Sequence, residues 1–79
     1  MVLIRGNITD ALSGRPVENA TVIIGSSWAL TDENGDYIIY TTMLPGNYEL
    51  KVSHRYYKRV EETVSINKDC VVDIPMTRE

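Results

Sequence analysis

Apolar residues in this chain recur at every second position. Val2, Ile4 and Ile8 do so, then Ala20, Val22 and Ile24, then Tyr48, Leu50 and Val52, then Val72, Ile74 and Met76. No stretch sustains apolar spacing at three and four residues, so no amphipathic helix is written into the chain. An alternation of period two belongs to half-buried strands, whose apolar sides must be covered by another layer. The punctuation agrees. Thr31-Asp32-Glu33-Asn34-Gly35-Asp36-Tyr37 reads as a tight turn feeding a strand, because Asn-Gly tolerates positive φ at low cost. Leu44-Pro45-Gly46-Asn47-Tyr48 is a second mark, with Pro setting φ and Gly able to take the positive-φ position of a type II turn. Tyr37-Ile38-Ile39-Tyr40-Thr41-Thr42 between them is aromatic and β-branched throughout, a strand by composition.

In chain order, Val2, Ile4 and Ile8 fall on one side of the first strand, with Leu3, Arg5 and Asn7 on the other. Gly6 inside that pattern predicts a bulge or a close backbone approach. Asp10 to Pro16 are turn residues, and Ala20 to Ile24 resume the alternation before Gly25-Ser26-Ser27. Trp28 to Thr31 is a short strand into the central turn. Glu49, Lys51 and Ser53 form the polar side of the strand after Pro45-Gly46, and Val60, Val64 and Ile66 line the next one. Asn67-Lys68-Asp69 makes the last turn. Pro75 has no amide to give a sheet, so the last strand lies on an edge or is ending there, and Thr77-Arg78-Glu79 is expected to fray. Seven short strands at this spacing describe an all-β, antiparallel sandwich in a single domain, residues 1–79.

Size and composition narrow the function. At 79 residues with one cysteine, Cys70, the fold has no internal disulfide and must rest on its core and its sheet hydrogen bonds. The net charge of −3 lacks the footprint of a nucleic-acid binder, and the densest basic run is His54-Arg55-Tyr56-Tyr57-Lys58-Arg59. No apolar run reaches membrane-spanning length, and Met1 to Arg5 is too short for a signal peptide, so neither membrane insertion nor a leader is expected in this chain.

Four motifs, taken together, resemble a known family. Gly6-Asn7-Ile8-Thr9-Asp10 and Gly14-Arg15-Pro16-Val17-Glu18-Asn19-Ala20-Thr21-Val22 resemble the opening of carboxypeptidase regulatory-like domains. The central turn and Pro45-Gly46-Asn47-Tyr48-Glu49-Leu50-Lys51-Val52 are similar to its middle. The resemblance implies a seven-stranded Greek-key β-sandwich of the prealbumin (transthyretin) type. It also implies an accessory role beside other domains of a larger secreted or cell-surface protein. Tyr56-Tyr57 departs from the Gly-Tyr that the family often has, so a normally small position carries a ring.

Candidate chemistry is thin. His54 is the only histidine, and neither Cys70 nor Ser26-Ser27 sits in a motif that would activate a nucleophile. The zinc-ligand pairs of true carboxypeptidases are absent, and Arg5 stands where an isopeptide-forming strand would need lysine. The acidic turn offers Asp32, Asn34 and Asp36 as a weak calcium candidate, but EF-hand spacing would require Gly at Tyr37 and Glu at Met43. A turn held by its own Asp and Asn side chains is the simpler expectation. No cofactor and no enzymatic activity are expected.

The aromatic residues remain. If Tyr37, Ile39, Tyr48, Leu50 and Val52 point inward, Ile38 and Tyr40 point out, with Trp28 and Tyr56 as further exposed rings. These four residues are the candidate binding face of a docking module. Its partner would be a neighbouring domain of the same parent chain or another protein. The alternative is a carbohydrate-binding module that stacks a polysaccharide on the same rings, with weak calcium at the acidic turn.

Overall fold

The computed structural model describes all residues from Met1 to Glu79 as eight strands without a helix. They are β1 (Val2–Asp10), β2 (Thr21–Ile24), β3 (Ser27–Leu30), β4 (Asp36–Thr41), β5 (Gly46–His54), β6 (Tyr57–Ile66), β7 (Cys70–Val71) and β8 (Ile74–Met76). Two four-stranded sheets face each other. In sheet I, β1 pairs antiparallel with β4, from Val2 opposite Thr41 to Asn7 opposite Asp36. The other side of β1 takes β7 along its first half and β8 along its second. Sheet II runs β3-β2-β5-β6, antiparallel throughout.

The alternation read from the sequence is the alternation observed. Ile4, Ile8, Tyr37 and Ile39 of sheet I meet Val22, Ile24, Leu50 and Val52 of sheet II, all buried. Val2, Tyr48, Val60 and Val64 pack around them half-buried. Each fully buried Ile or Leu contributes about 1.5–3 kcal/mol by leaving water, which is the main support available to a chain without staples. The sheets are also tied at both margins. Ser27 donates its hydroxyl hydrogen bond to Thr41 Oγ1 at 2.9 Å on the β3–β4 side, and the Lys58 amide donates to the Thr77 carbonyl at 2.8 Å on the β6–β8 side.

The strand count and the pairing both differ from the sequence expectation. The last apolar run, read as one strand, is two, and both run parallel to β1 rather than antiparallel. Gly6 is the cause. The chain at Val72 crosses so close to it that a Cβ on Gly6 would lie 1.8 Å from the Val72 carbonyl oxygen. The Val72 amide donates the last ladder bond, to the Arg5 carbonyl at 2.8 Å, and its carbonyl accepts from the Tyr37 hydroxyl at 2.7 Å. Asp73 Oδ1 accepts from the Asn7 amide, also at 2.8 Å. Of the two meanings open for Gly6, close approach is the correct one. Burial, with Cys70 and Asp73 nearby, pushes the Tyr37 hydroxyl above its ordinary pKa, so it stays a donor to Val72.

The C-terminal residues are held rather than frayed. Arg78 Nε bonds Asp10 Oδ2 at 3.0 Å, Arg78 pairs as an isolated bridge with Tyr57, and the Glu79 amide donates to the Tyr56 carbonyl. Pro75 is exposed on β8, which has β1 as its only ladder partner, so no sheet amide is missed.

Candidate functional site

Each residue of the expected face is exposed: Trp28 64%, Ile38 62%, Tyr40 63% and Tyr56 62%. The fold does not bring all of them together. Ile38 and Tyr40 lie on the outer side of sheet I, opposite Arg5 and Leu3 of β1, and Val71 of β7 stands on the other side of Arg5. Trp28 is opposite Ile23, which is opposite Lys51, and this row lies on the outer side of sheet II. Outer sides of a two-layer sandwich look in opposite directions, so Trp28 and the Ile38–Tyr40 pair cannot share one flat contact. Tyr56 sits in the β5–β6 turn, with β2 and β5 between its hairpin edge and the Trp28 strand.

Around Ile38 the surface is a shallow groove rather than a plane. Arg5, Asn7, Asp36, Val71 and Asp73 border it together with Ile38. Apolar Ile38 and Val71 thus flank a central Arg5, with Asp36 and Asp73 beside them. Sequence reasoning found Ile38 and Tyr40 by alternation, but it missed Val71. That residue reaches this face only through the parallel pairing of β7.

The more elaborate polar site was also missed. Asp10 is buried at the end of β1, and its carboxylate accepts four hydrogen bonds. Oδ1 takes the Leu12 and Ser13 amides at 2.9 and 3.0 Å, and Oδ2 takes the Tyr57 hydroxyl and Arg78 Nε at 2.9 and 3.0 Å. These donors hold its carboxyl well below the usual carboxylate range, the Ser13 amide most strongly and the Arg78 guanidinium next. Burial and the bond to Asp10 raise the Tyr57 hydroxyl in turn. A shallow concavity beside the cluster is bounded by Leu12, Ser13, Arg15 and Thr77. The Ser13 hydroxyl in it accepts the Arg15 amide at 3.2 Å. The cluster is a structural clasp. It binds a loop, a hairpin and the C-terminus to one carboxylate.

Thr31 is a second buried polar anchor. Its Oγ1 accepts the Ala20 amide at 2.9 Å and donates to the Val17 carbonyl at 2.7 Å, which satisfies two backbone groups that no strand partner reaches.

The remaining candidates are occupied by the backbone. His54 Nε2 lies 2.9 Å from the Glu18 carbonyl, and Nδ1 accepts the Tyr56 amide at 3.2 Å, so the ring is the Nε2–H tautomer joining two loops. Cys70 begins β7 half-buried on the other sheet, its thiol raised by burial and by Asp69. In the acidic turn, Asp32 Oδ1 accepts the Asn34 and Asp36 amides, and Asn7 Nδ2 donates to the Asn34 carbonyl and to Asp36 Oδ1. Gly35 closes the turn at φ 77°. The oxygens a loop cation would draw inward are therefore aimed at N–H donors, and no three His, Cys, Asp or Glu side chains converge as a metal site.

Comparison with known proteins adds to this geometry. The chain is 36% identical over 64 residues to a viral protein, Structural protein 27 (virus isolate Australia/Victoria), covering 81% of this chain and 12% of that protein. It is 29% identical over 76 residues to human Carboxypeptidase D, covering 94% of this chain and 5% of that protein. It therefore spans a small part of each of these relatives. Among solved structures, a chain of the type II cohesin–X-dockerin complex from Acetivibrio cellulolyticus superposes with TM-score 0.81 at 22% identity, over 98% of this chain and 56% of that one. A candidate carbohydrate binding protein from Bacteroides uniformis superposes with TM-score 0.66 at 19% identity, over 95% and 40%. At such identities the likeness is one of fold. The family model for the carboxypeptidase regulatory-like domain matches residues 3–77, and the chain belongs to that family.

Proposed function

We propose that this domain is a non-catalytic docking module whose contact surface is the outer side of sheet I, centred on Ile38 and Tyr40. The observation that carries the reading is the exposed set of Ile38, Tyr40 and Val71 grouped around Arg5, with Asp36 and Asp73 beside it. Aromatic residues and Arg are enriched in protein interfaces, and such anchors supply most of their affinity. Membership of a regulatory-like domain family supports a role without catalysis. The partner is a protein surface, on a neighbouring domain of the same parent chain or on a second protein, in a cell-surface or extracellular setting. That two relatives are much longer than this chain supports the neighbouring-domain case. Trp28 and Tyr56, on other sides of the sandwich, would serve separate contacts.

A photo-crosslinking residue placed at Tyr40 in the full-length parent protein tests this directly. Crosslinks from position 40 to a protein segment, abolished by Ile38→Ser, are the expected result. Crosslinks from position 56 with none from position 40 would remove sheet I as the docking face.

One observation favours a second reading, carbohydrate binding at Trp28. Its ring is exposed on the outer side of sheet II in a row with Lys51, whose Nζ pairs with Glu49 Oε1 at 3.0 Å, so a stacking surface has hydrogen-bonding heads near it. Soluble oligosaccharides added during an amide NMR titration would shift the Trp28 indole saturably if this holds. An unmoved indole ends it.

A further inference from the structure

The sequence contains two Asn-x-Thr triplets, Asn7-Ile8-Thr9 and Asn19-Ala20-Thr21, and the fold treats their asparagines in opposite ways. Such a triplet is the acceptor signal for N-linked glycan transfer in exported chains. In that reaction a sugar C1–O bond to a lipid-linked pyrophosphate breaks and a bond from C1 to asparagine Nδ2 forms. Nδ2 loses one proton, and the lipid pyrophosphate leaves. The folded product must then leave Nδ2 room for a large polar substituent, with only one hydrogen left to donate.

Asn7 fails both conditions. It is half-buried in β1, and Nδ2 uses both of its hydrogens, one to the Asn34 carbonyl at 2.9 Å and one to Asp36 Oδ1 at 2.8 Å. A glycan there would remove one of these bonds and force the acidic turn away from β1. Asn19 meets both. It is exposed in the turn before β2 at φ 63°, and its carboxamide makes no hydrogen bond within the chain. Its surroundings are firm, so the turn does not depend on that carboxamide. The Asn19 amide donates to the Thr31 carbonyl at 3.1 Å, the Val17 carbonyl accepts from Thr31 Oγ1, and the Glu18 carbonyl lies against His54 Nε2. Ala20 is fully buried, its amide bonded to Thr31 Oγ1, so a transferase reaches this triplet only before the strand pairs.

We infer that the folded protein carries an N-glycan on Asn19 and none on Asn7. Chains glycosylated at Asn7 would fail to close the β1–turn contact, whereas chains glycosylated at Asn19 fold unhindered. Because the Glu18 carbonyl touches His54, a glycan on Asn19 stands beside the β5–β6 turn that carries Tyr56. It would shield that end of the sandwich and leave the Ile38–Tyr40 side open.

The inference rests on the chain being exported, as proposed above, and the test supplies export so that the two can fail separately. The chain is placed behind a secretory leader, produced in yeast, and collected from the medium as folded protein. Glycosidase treatment and peptide mass analysis then locate the glycan. The expected result is a glycan at Asn19 and an unmodified Asn7. Asn19→Gln should lose the modification and keep the native amide spectrum, while Asn7→Gln should keep the glycan in whatever folded protein is secreted. Secreted, folded chain with a bare Asn19, or with a glycan on Asn7, overturns the inference.

Discussion

Two loops of this domain use the same device and obtain different things from it. At the end of β1, Asp10 Oδ1 accepts the Leu12 and Ser13 amides; between β3 and β4, Asp32 Oδ1 accepts the Asn34 and Asp36 amides. Each is an aspartate folding its own loop, as such residues commonly do. Asp32 stays at the turn and stops there. Asp10 is buried, and its second oxygen reaches Tyr57 of β6 and Arg78 near the C-terminus. A similar local motif is therefore a turn in one place and the junction of three distant segments in the other. The free oxygen, and what burial brings to it, make the difference.

The sharpest way to separate the two is Asp10→Ala. It strips four donors of their acceptor at once, leaves Tyr57 and Arg78 facing one another, and should lower the melting temperature by about 10 °C or more. Amide exchange at Lys58 and Glu79 should accelerate in the same variant, because the tail loses its anchor. If exchange there is unchanged, Asp10 is not what holds the C-terminus.

Acid should find the same site. The folded-state pKa of Asp10 lies below its unfolded value, so its contribution is complete at neutral pH and is lost as pH falls below about 4. Chemical denaturation measured between pH 6 and pH 2 should show stability falling with acid in the parent chain. The Asp10→Asn variant should show a distinctly shallower fall, and equal slopes would mean the carboxylate is not the group that matters.

Smaller effects grade the comparison. Tyr57→Phe keeps the ring and removes one of four donors to Asp10, at a cost of about 1–2 kcal/mol in a urea melt. Asp32→Ala frees the acidic turn and should cost only about 0.5–1 kcal/mol, with no change at the C-terminal amides. Should Asp32→Ala prove the more damaging, the ranking by number of segments joined is wrong. Glu33→Ala, in the same turn and without a hydrogen bond, should shift stability by no more than about 0.5 kcal/mol.

The comparison also explains what could be read in advance. The acidic turn was conspicuous in the sequence because its polar residues are contiguous, and that density invited a cation. Asp10 looked like one more turn residue, since its partners are 47 and 68 positions away. Thr31 was read as the start of a turn, and nothing near it in the chain announces that it serves Val17 and Ala20. For the candidate surface, Ile38 and Tyr40 followed from alternation with Tyr37 and Ile39. That Trp28 faces the other way did not, because alternation sorts residues to two sides of one strand and says nothing about which sheet the strand joins.

What the sequence determined by itself is the local half of this protein: strands rather than helices, their inward residues, the positions of the tight turns and the family. These follow from a backbone whose side chains alternate every residue and from its turn residues. Of these, Gly35 takes the positive φ expected of it, while Gly46, read as the positive-φ position of a type II turn, does not. Only the tertiary structure decided that the last run of chain splits in two and lies parallel to β1, that Gly6 exists to let Val72 pass, and that Arg78 is clasped by Asp10. Those outcomes depend on contacts between segments far apart in the chain, such as Asp10 with Arg78 across 68 positions. The free energy of such a contact depends on which groups meet when the two sheets close, and no local pattern records that.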